Sequence, residues 1–174
     1  MMENKKSFLE LCEKRHSVRA FSEKRIEAED LDYIMECVRL APSAVNYQPW
    51  KFLRVKDCER DLIRQCYQNP WFAGAQDHVI ACCDHDVSWR RRQDGKDHGD
   101  VDLGIAVEHF CLAAAERGVA TCWVCAFDAA LCSKLFKLPE NLEPVVFLPL
   151  GYAATDFVPR ERKRKEAGEL WIER

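Results

Sequence analysis

The chain has 174 residues, with 26 Lys and Arg against 29 Asp and Glu, so its net charge of −3 gives it no general attraction for nucleic acid. At 48% apolar and 32% charged residues it has the balance of one globular domain, expected to span residues 1–174 and long enough to bury a core. No apolar run reaches membrane-spanning length and no leader pattern opens the chain, so the ten cysteines are expected as reduced thiols in a cytoplasmic protein, without metal.

In chain order, Glu3 to Lys14 is predicted helical, with Phe8, Leu11 and Cys12 as its apolar face. Arg15-His16-Ser17-Val18-Arg19 follows. In an extended segment Arg15, Ser17 and Arg19 share a face, and two guanidinium forks plus a hydroxyl suit a phosphate. The same residues also fit a solvated basic stretch at a helix end. Ala28 to Leu40 carries Leu31, Ile34, Met35 and Val38 at helical spacing and stops before Pro42. The polar loop after it, Pro42 to Trp50, offers Ser43, Asn46 and Gln48, whose hydroxyl and amides both donate and accept. That suits a polyol or a heterocycle edge, or an ordinary turn that satisfies itself.

Phe52–Val55 and His78–Cys83 are predicted strands, the second buried on both faces, with a short helix over Glu59 to Tyr67 between them. Asp84 to Gly99 has no apolar period and reads as a surface loop or a lid. Val101 to Arg117 is apolar on most sides, the mark of a buried helix, and Gly118 suits its C-terminal stop. Cys122 and Cys125 form a lone C-x-x-C without the partner ligands a structural zinc needs. Asp128 is the expected N-cap of a helix to Phe136, Pro144 to Tyr152 holds the last strand, and the tail from Pro159 to Lys165 is basic. This mixture without linkers or repeats predicts a single α+β domain, and the absence of G-x-G-x-x-G argues against a Rossmann domain.

Two of these stretches, in this order, resemble the nitroreductase family of flavin enzymes. Arg15 to Phe21 matches R-[RH]-S-x-[RK]-x-F, and Pro42 to Trp50 matches P-S-x-x-N-x-Q-P-W. Asp102 to Gly118, Leu150-Gly151-Tyr152 and the tail extend the likeness over about Phe8 to Trp171. The resemblance implies a mostly antiparallel central sheet flanked by helices, in an intertwined homodimer with FMN at each interface and the C-terminal tail crossing to the partner. It implies FMN contacts from Arg15, His16, Ser17 and Arg19, from Pro42, Ser43, Ala44, Asn46 and Gln48, and from the backbone of Cys125 and Ala126. By register it adds Arg162 and Arg164 at the phosphate. Relatives often have Gly or Glu-Gly where this chain has Cys125 and Ala126.

The implied activity is ping-pong hydride transfer from NADH or NADPH, through flavin N5, to nitroaromatic, quinone or similar small acceptors. Flavin carries that chemistry, and no catalytic side chain is assigned. The alternatives are a flavin-binding carrier without turnover and a divergent activity such as reductive dehalogenation, for which the Asp84–Gly99 segment is short as a lid.

Overall fold

The structure is a computed structural model that describes residues 7–173, so the first four residues of the helix expected from Glu3 lie outside the described residues. In chain order the elements are α1 (Phe8–Lys14), α2 (Ala28–Arg39), β1 (Trp50–Arg54), α3 (Arg60–Cys66), α4 (Pro70–Ala73) and β2 (Asp77–Asp84). After these come α5 (Gly99–Glu116), β3 (Ala120–Thr121), α6 (Ala129–Phe136), β4 (Leu142–Gly151) and α7 (Ala167–Leu170). The four strands form one antiparallel sheet in the order β1-β2-β4-β3.

Both central strands are apolar at nearly every position because both sheet faces are covered. Side chains alternate across a strand. Val79, Ala81 and Cys83 of β2, with Val146, Leu148 and Leu150 of β4, pack on Ile34 and Val38 of α2 and Leu103, Val107 and Phe110 of α5. The opposite positions, Ile80, Cys82 and Phe147, meet Ile63 of α3, Phe72 of α4 and Cys132 of α6. Pro144 sits inside β4, where a proline removes a ladder donor; the register slips there by one residue, so that Ala81 faces Val146 and Cys82 faces Pro144.

Helix ends follow local chemistry. Asp128 caps α6 by accepting from the Leu131 N–H at 2.8 Å, and Gly118, at φ 75°, turns the chain out of α5. The buried carboxylate of Asp30 on α2 accepts from Arg117 Nε at 2.6 Å and from the Tyr152 hydroxyl at 3.1 Å, tying α2 to the ends of α5 and β4. The Arg117 bond outweighs burial and holds the Asp30 carboxyl below the usual carboxylate range.

Residues 84–99, expected as an irregular loop, are built around one carboxylate. Asp97 Oδ2 accepts from the Ser88 hydroxyl at 2.8 Å, lies 3.1 Å from His85 Nδ1 and pairs with Arg90 at 3.2 Å. Backbone bonds between Arg91 and Lys96 and between Gly95 and Arg91 close a small hairpin, with Gly95 at φ 70°. Helix α5 starts at Gly99, two residues before the expected Val101.

Candidate active site

The chain leaves α1 at Arg15 in extended backbone. Ser17 bridges to Thr121, and the Val18 N–H donates to the Thr121 carbonyl at 2.9 Å, which lays this segment along β3. Val18 is buried at 5% exposure, so period-two alternation turns Ser17 and Arg19 outward together, with Arg15 on the same face. The three residues expected to meet a phosphate do share one surface.

The opposite wall comes from the other end of the chain. Phe21 pairs with Ala153, the Ser22 N–H donates to the Tyr152 carbonyl and the Ala154 N–H to that of Ala20, so the tail leaves the sheet antiparallel to the 20–22 segment. Further on, Arg160, Arg162 and Arg164 face inward at every second position. A cleft of about 490 Å³ opens between the two chain ends, lined by Arg15, His16, Ser17, Arg19, Arg160, Arg162 and Arg164, with Phe157 and Val158 as its apolar side. Arg160 was not singled out in the sequence. The alternation Arg160-Glu161-Arg162-Lys163-Arg164 was the available signal, since an extended tail points those three arginines one way.

The five guanidinium groups differ in their partners. Arg162 donates to the backbone carbonyls of Glu13 and Arg15 and so fastens the tail to the end of α1. Burial first, and then the charges of Arg164 and Arg15, push the Arg162 pKa down. Arg15 pairs with Glu108 of α5 at 3.4 Å, and Arg19 lies over the Trp71 ring at 5.6 Å. Among the described residues Arg19, Arg160 and Arg164 have no carboxylate within ion-pair distance. The cleft therefore presents positive charge that the described residues leave uncompensated. His16 turns its Nδ1 to the Lys14 carbonyl at 2.6 Å, and behind this segment burial pushes the Cys122 thiol pKa up.

The second motif stands elsewhere. After Pro42, residues 44–46 make a single 3₁₀ turn, and Val45, Asn46 and Gln48 all have left-handed backbone, at φ 54°, 59° and 53°. Such conformations cost on the order of 1–3 kcal/mol each in residues other than glycine, so they persist only where the surroundings impose them. Here the Ser43 hydroxyl accepts from the Gln48 N–H at 2.9 Å, and the Ala44 N–H donates to Asp102 of α5 at 2.9 Å. The Gln48 side chain folds back on Asn46, donating to its backbone carbonyl at 3.1 Å.

Among the described residues, the clefts beside Arg15 and Arg162 are lined without any residue of this loop. Helix α5 accounts for the separation, because the loop is held at Asp102 and Arg15 at Glu108. Six residues of α-helix rise about 9 Å and turn roughly 240°, so the two anchors lie on different sides of the same helix. Within one chain the two motifs are apart.

Cys125 and Ala126 lie exposed between β3 and α6. Among the described residues neither N–H has a hydrogen-bond acceptor, so both are available to a ligand. The Cys125 thiol accepts from the Trp123 indole at 2.9 Å, whereas Cys122 is buried at 1% exposure. His109 on α5 turns its Nδ1 to the Ile105 carbonyl at 2.9 Å and so is satisfied within its helix. Among the described residues no group of three or more His, Cys, Asp or Glu is placed to hold a metal, and no helix is long and apolar enough to cross a membrane.

An antiparallel sheet covered by helices on both faces, with a basic cleft between the chain ends, defines an α+β architecture. The nitroreductase family model matches residues 12–81 and 58–152, and the chain belongs to that family, whose members are oxidoreductases. A crystal structure of a nitroreductase family protein from Clostridium difficile 630 superposes with a TM-score of 0.86 at 30% identity, covering 96% of this chain and 98% of that one. An FMN reductase [NAD(P)H] of Bacillus subtilis is 27% identical over 87% of this chain and 68% of its own length. An iodotyrosine deiodinase of Thermotoga neapolitana is 26% identical over 84% of this chain and 89% of its own. The fold is the nitroreductase fold, as the sequence motifs implied.

Proposed function

We propose that residues 1–174 form a single FMN-binding domain that acts as an NAD(P)H-dependent oxidoreductase on nitroaromatic, quinone or similar small acceptors, working as a homodimer in the cytoplasm. The observation that carries this reading is the cleft in which Arg15, Ser17 and Arg19 share one face while Arg160, Arg162 and Arg164 close the other. A phosphate monoester carries nearly two negative charges and three acceptor oxygens, which matches that donor set. The name of the Bacillus subtilis relative links both FMN and NAD(P)H to that protein.

In this reading Arg15, Ser17 and Arg19, next to His16, hold the phosphate, and Arg162 and Arg164 bring the tail over it. The free N–H groups of Cys125 and Ala126 are donors for the edge of the flavin ring, and a backbone donor does not depend on the side chain that replaces the usual glycine. The loop Pro42-Ser43-Ala44, with Asn46 and Gln48, supplies the remaining polar contacts. Because α5 keeps this loop away from the arginine cleft of its own chain, a complete site needs the loop of a second copy. Exposed Leu170, Trp171 and Ile172, at 71–79% exposure, give that copy an apolar surface to cover. Through Arg162 the tail stays on its own chain, so a crossing to the partner falls to the residues after it. When bound, FMN supplies the hydride chemistry, while the protein orients it and excludes water.

The test is consumption of NADH and of NADPH by purified FMN-loaded protein, offered a nitroaromatic, a quinone or 3-iodotyrosine. Turnover with the first two supports this reading. Turnover confined to the iodinated substrate would move the assignment to the deiodinase-like activity named for the Thermotoga relative. Bound FMN with no turnover on any acceptor would leave a flavin carrier.

A further inference from the structure

Helix α5 carries two acidic residues in its first turn, and the structure treats them differently. Asp100 is exposed, where a carboxylate near a helix N-terminus complements the dipole without leaving water. Asp102 is buried at 3% exposure. Its Oδ1 accepts from the Ala44 N–H at 2.9 Å, while its buried Oδ2 has no hydrogen-bond partner among the described residues. One turn earlier His98 Nε2 is also buried without a partner there, with its ring against Trp89 at 5.0 Å. Burying a carboxylate is unfavourable, and leaving one of its oxygens without a donor is more so. A neutral side chain of the same shape would suit the fold better. Among the described residues Asp102 makes the one side-chain hydrogen bond from α5 to the 43–48 turn, where Val45, Asn46 and Gln48 hold left-handed backbone. Strain of this kind persists only where something imposes it.

We infer that Asp102 is a positioning residue for flavin binding, retained at a cost in stability because it holds the 43–48 turn in its strained shape. The inference rests on the proposed reading of that loop as part of the flavin site. Ser43 fixes the far end of the turn through the Gln48 N–H, and Asp102 fixes the near end through Ala44. Asp102→Asn keeps an acceptor oxygen for Ala44 and removes the buried charge, whereas Asp102→Ala removes both. Loop order and fold stability should therefore separate between the two variants, as they do where a site is held against the preference of the fold.

The experiment compares the wild-type protein, Asp102→Asn and Asp102→Ala. It reads FMN affinity by quenching of flavin fluorescence, hydrogen exchange at the Ala44 amide, and the melting temperature without flavin. Asp102→Asn should keep wild-type exchange and FMN affinity and melt at the same temperature or higher. Asp102→Ala should exchange the Ala44 amide at least about tenfold faster, the factor for losing one bond to a charged group, and bind FMN at least about tenfold more weakly. Its melting temperature should stay within about 4 °C of the wild-type value. Lower melting temperatures in both variants with unchanged FMN affinity would show a role in the core alone and overturn the inference. Wild-type exchange at Ala44 in Asp102→Ala, an Asn variant as weak as the Ala variant, or an Asp102→Ala chain that no longer melts cooperatively would overturn it as well. If the wild-type protein takes up no FMN, the flavin reading fails and takes the inference with it. If it takes up FMN and Asp102→Ala binds equally well, the inference fails and the flavin reading stands.

Discussion

Replacing Arg162 with alanine should free the tail while leaving the core intact. Its guanidinium donates to the carbonyls of Glu13 and Arg15, and these bonds hold residues 155–165 against the end of α1. A hydrogen bond to a charged group contributes about 1.5–3 kcal/mol, and partial exposure puts each of these near the lower end. Burial and repulsion from Arg164 and Arg15 offset part of the sum, leaving about 2 kcal/mol for tail attachment. At a factor of ten per 1.4 kcal/mol, local opening should increase roughly 30-fold. Hydrogen exchange reads this directly at the Ala154 and Phe157 amides, which bond to the carbonyls of Ala20 and Ala154. Those amides should exchange roughly 30-fold faster. Amides of β2 and β4 should not change, and the melting temperature should fall by less than about 2 °C. Unaltered exchange in the tail would refute the fastening role. Equal acceleration in β2 and β4 would show that Arg162 supports the whole fold instead.

Arg15→Ala and Arg19→Ala should each weaken FMN binding by about 1.5–3 kcal/mol, read by quenching of flavin fluorescence, and unchanged affinity in both would remove the phosphate role. His85 sits between Asp97 at 3.1 Å and Glu143 at 2.8 Å; burial draws its pKa down, but the bonds to the two carboxylates prevail and the net shift is upward. A raised folded-state pKa means that this stabilisation is fully present below the ordinary value of 6.5 and is lost as pH climbs through the raised value. The gap in urea midpoint between the wild-type protein and His85→Ala should therefore narrow as pH rises above 6.5, and a constant gap would contradict it. Gly99→Ala would drive a Cβ into Cys83 Sγ, an overpacking that should cost about 1–3 kcal/mol, and adding Cys83→Ala should restore most of the lost melting temperature.

How much of this was legible in the sequence depended on whether the signal was local. The Asp128 cap, the Gly118 stop and the doubly buried β2 rest on residue types and periods that carry their own reason. The outward face of Arg15, Ser17 and Arg19 followed from alternation once the segment was extended. The left-handed run at Val45, Asn46 and Gln48 was not legible. No glycine marks it, and what imposes it is Ser43 nearby and Asp102 more than fifty residues away. The hairpin inside residues 84–99 escaped notice for a related reason, since its order comes from one carboxylate rather than from an apolar period. Arg162, expected at a phosphate, spends its guanidinium on the carbonyls of Glu13 and Arg15, a pairing that only tertiary structure reveals. The separation of the two family motifs by the turn of α5 was equally invisible, because sequence spacing carries no azimuth until the helix phase and its two anchors are known.

The central claim is that the cleft between the chain ends holds a flavin phosphate. The visible absorption spectrum of the purified protein, followed by identification of what heat or acid releases, tests it most directly. Yellow protein releasing FMN, with the colour lost in an Arg15→Ala, Arg19→Ala double variant that still melts cooperatively, is the predicted result. A colourless protein that also fails to take up added FMN would contradict the account, and the arginines at both chain ends would then be solvated surface.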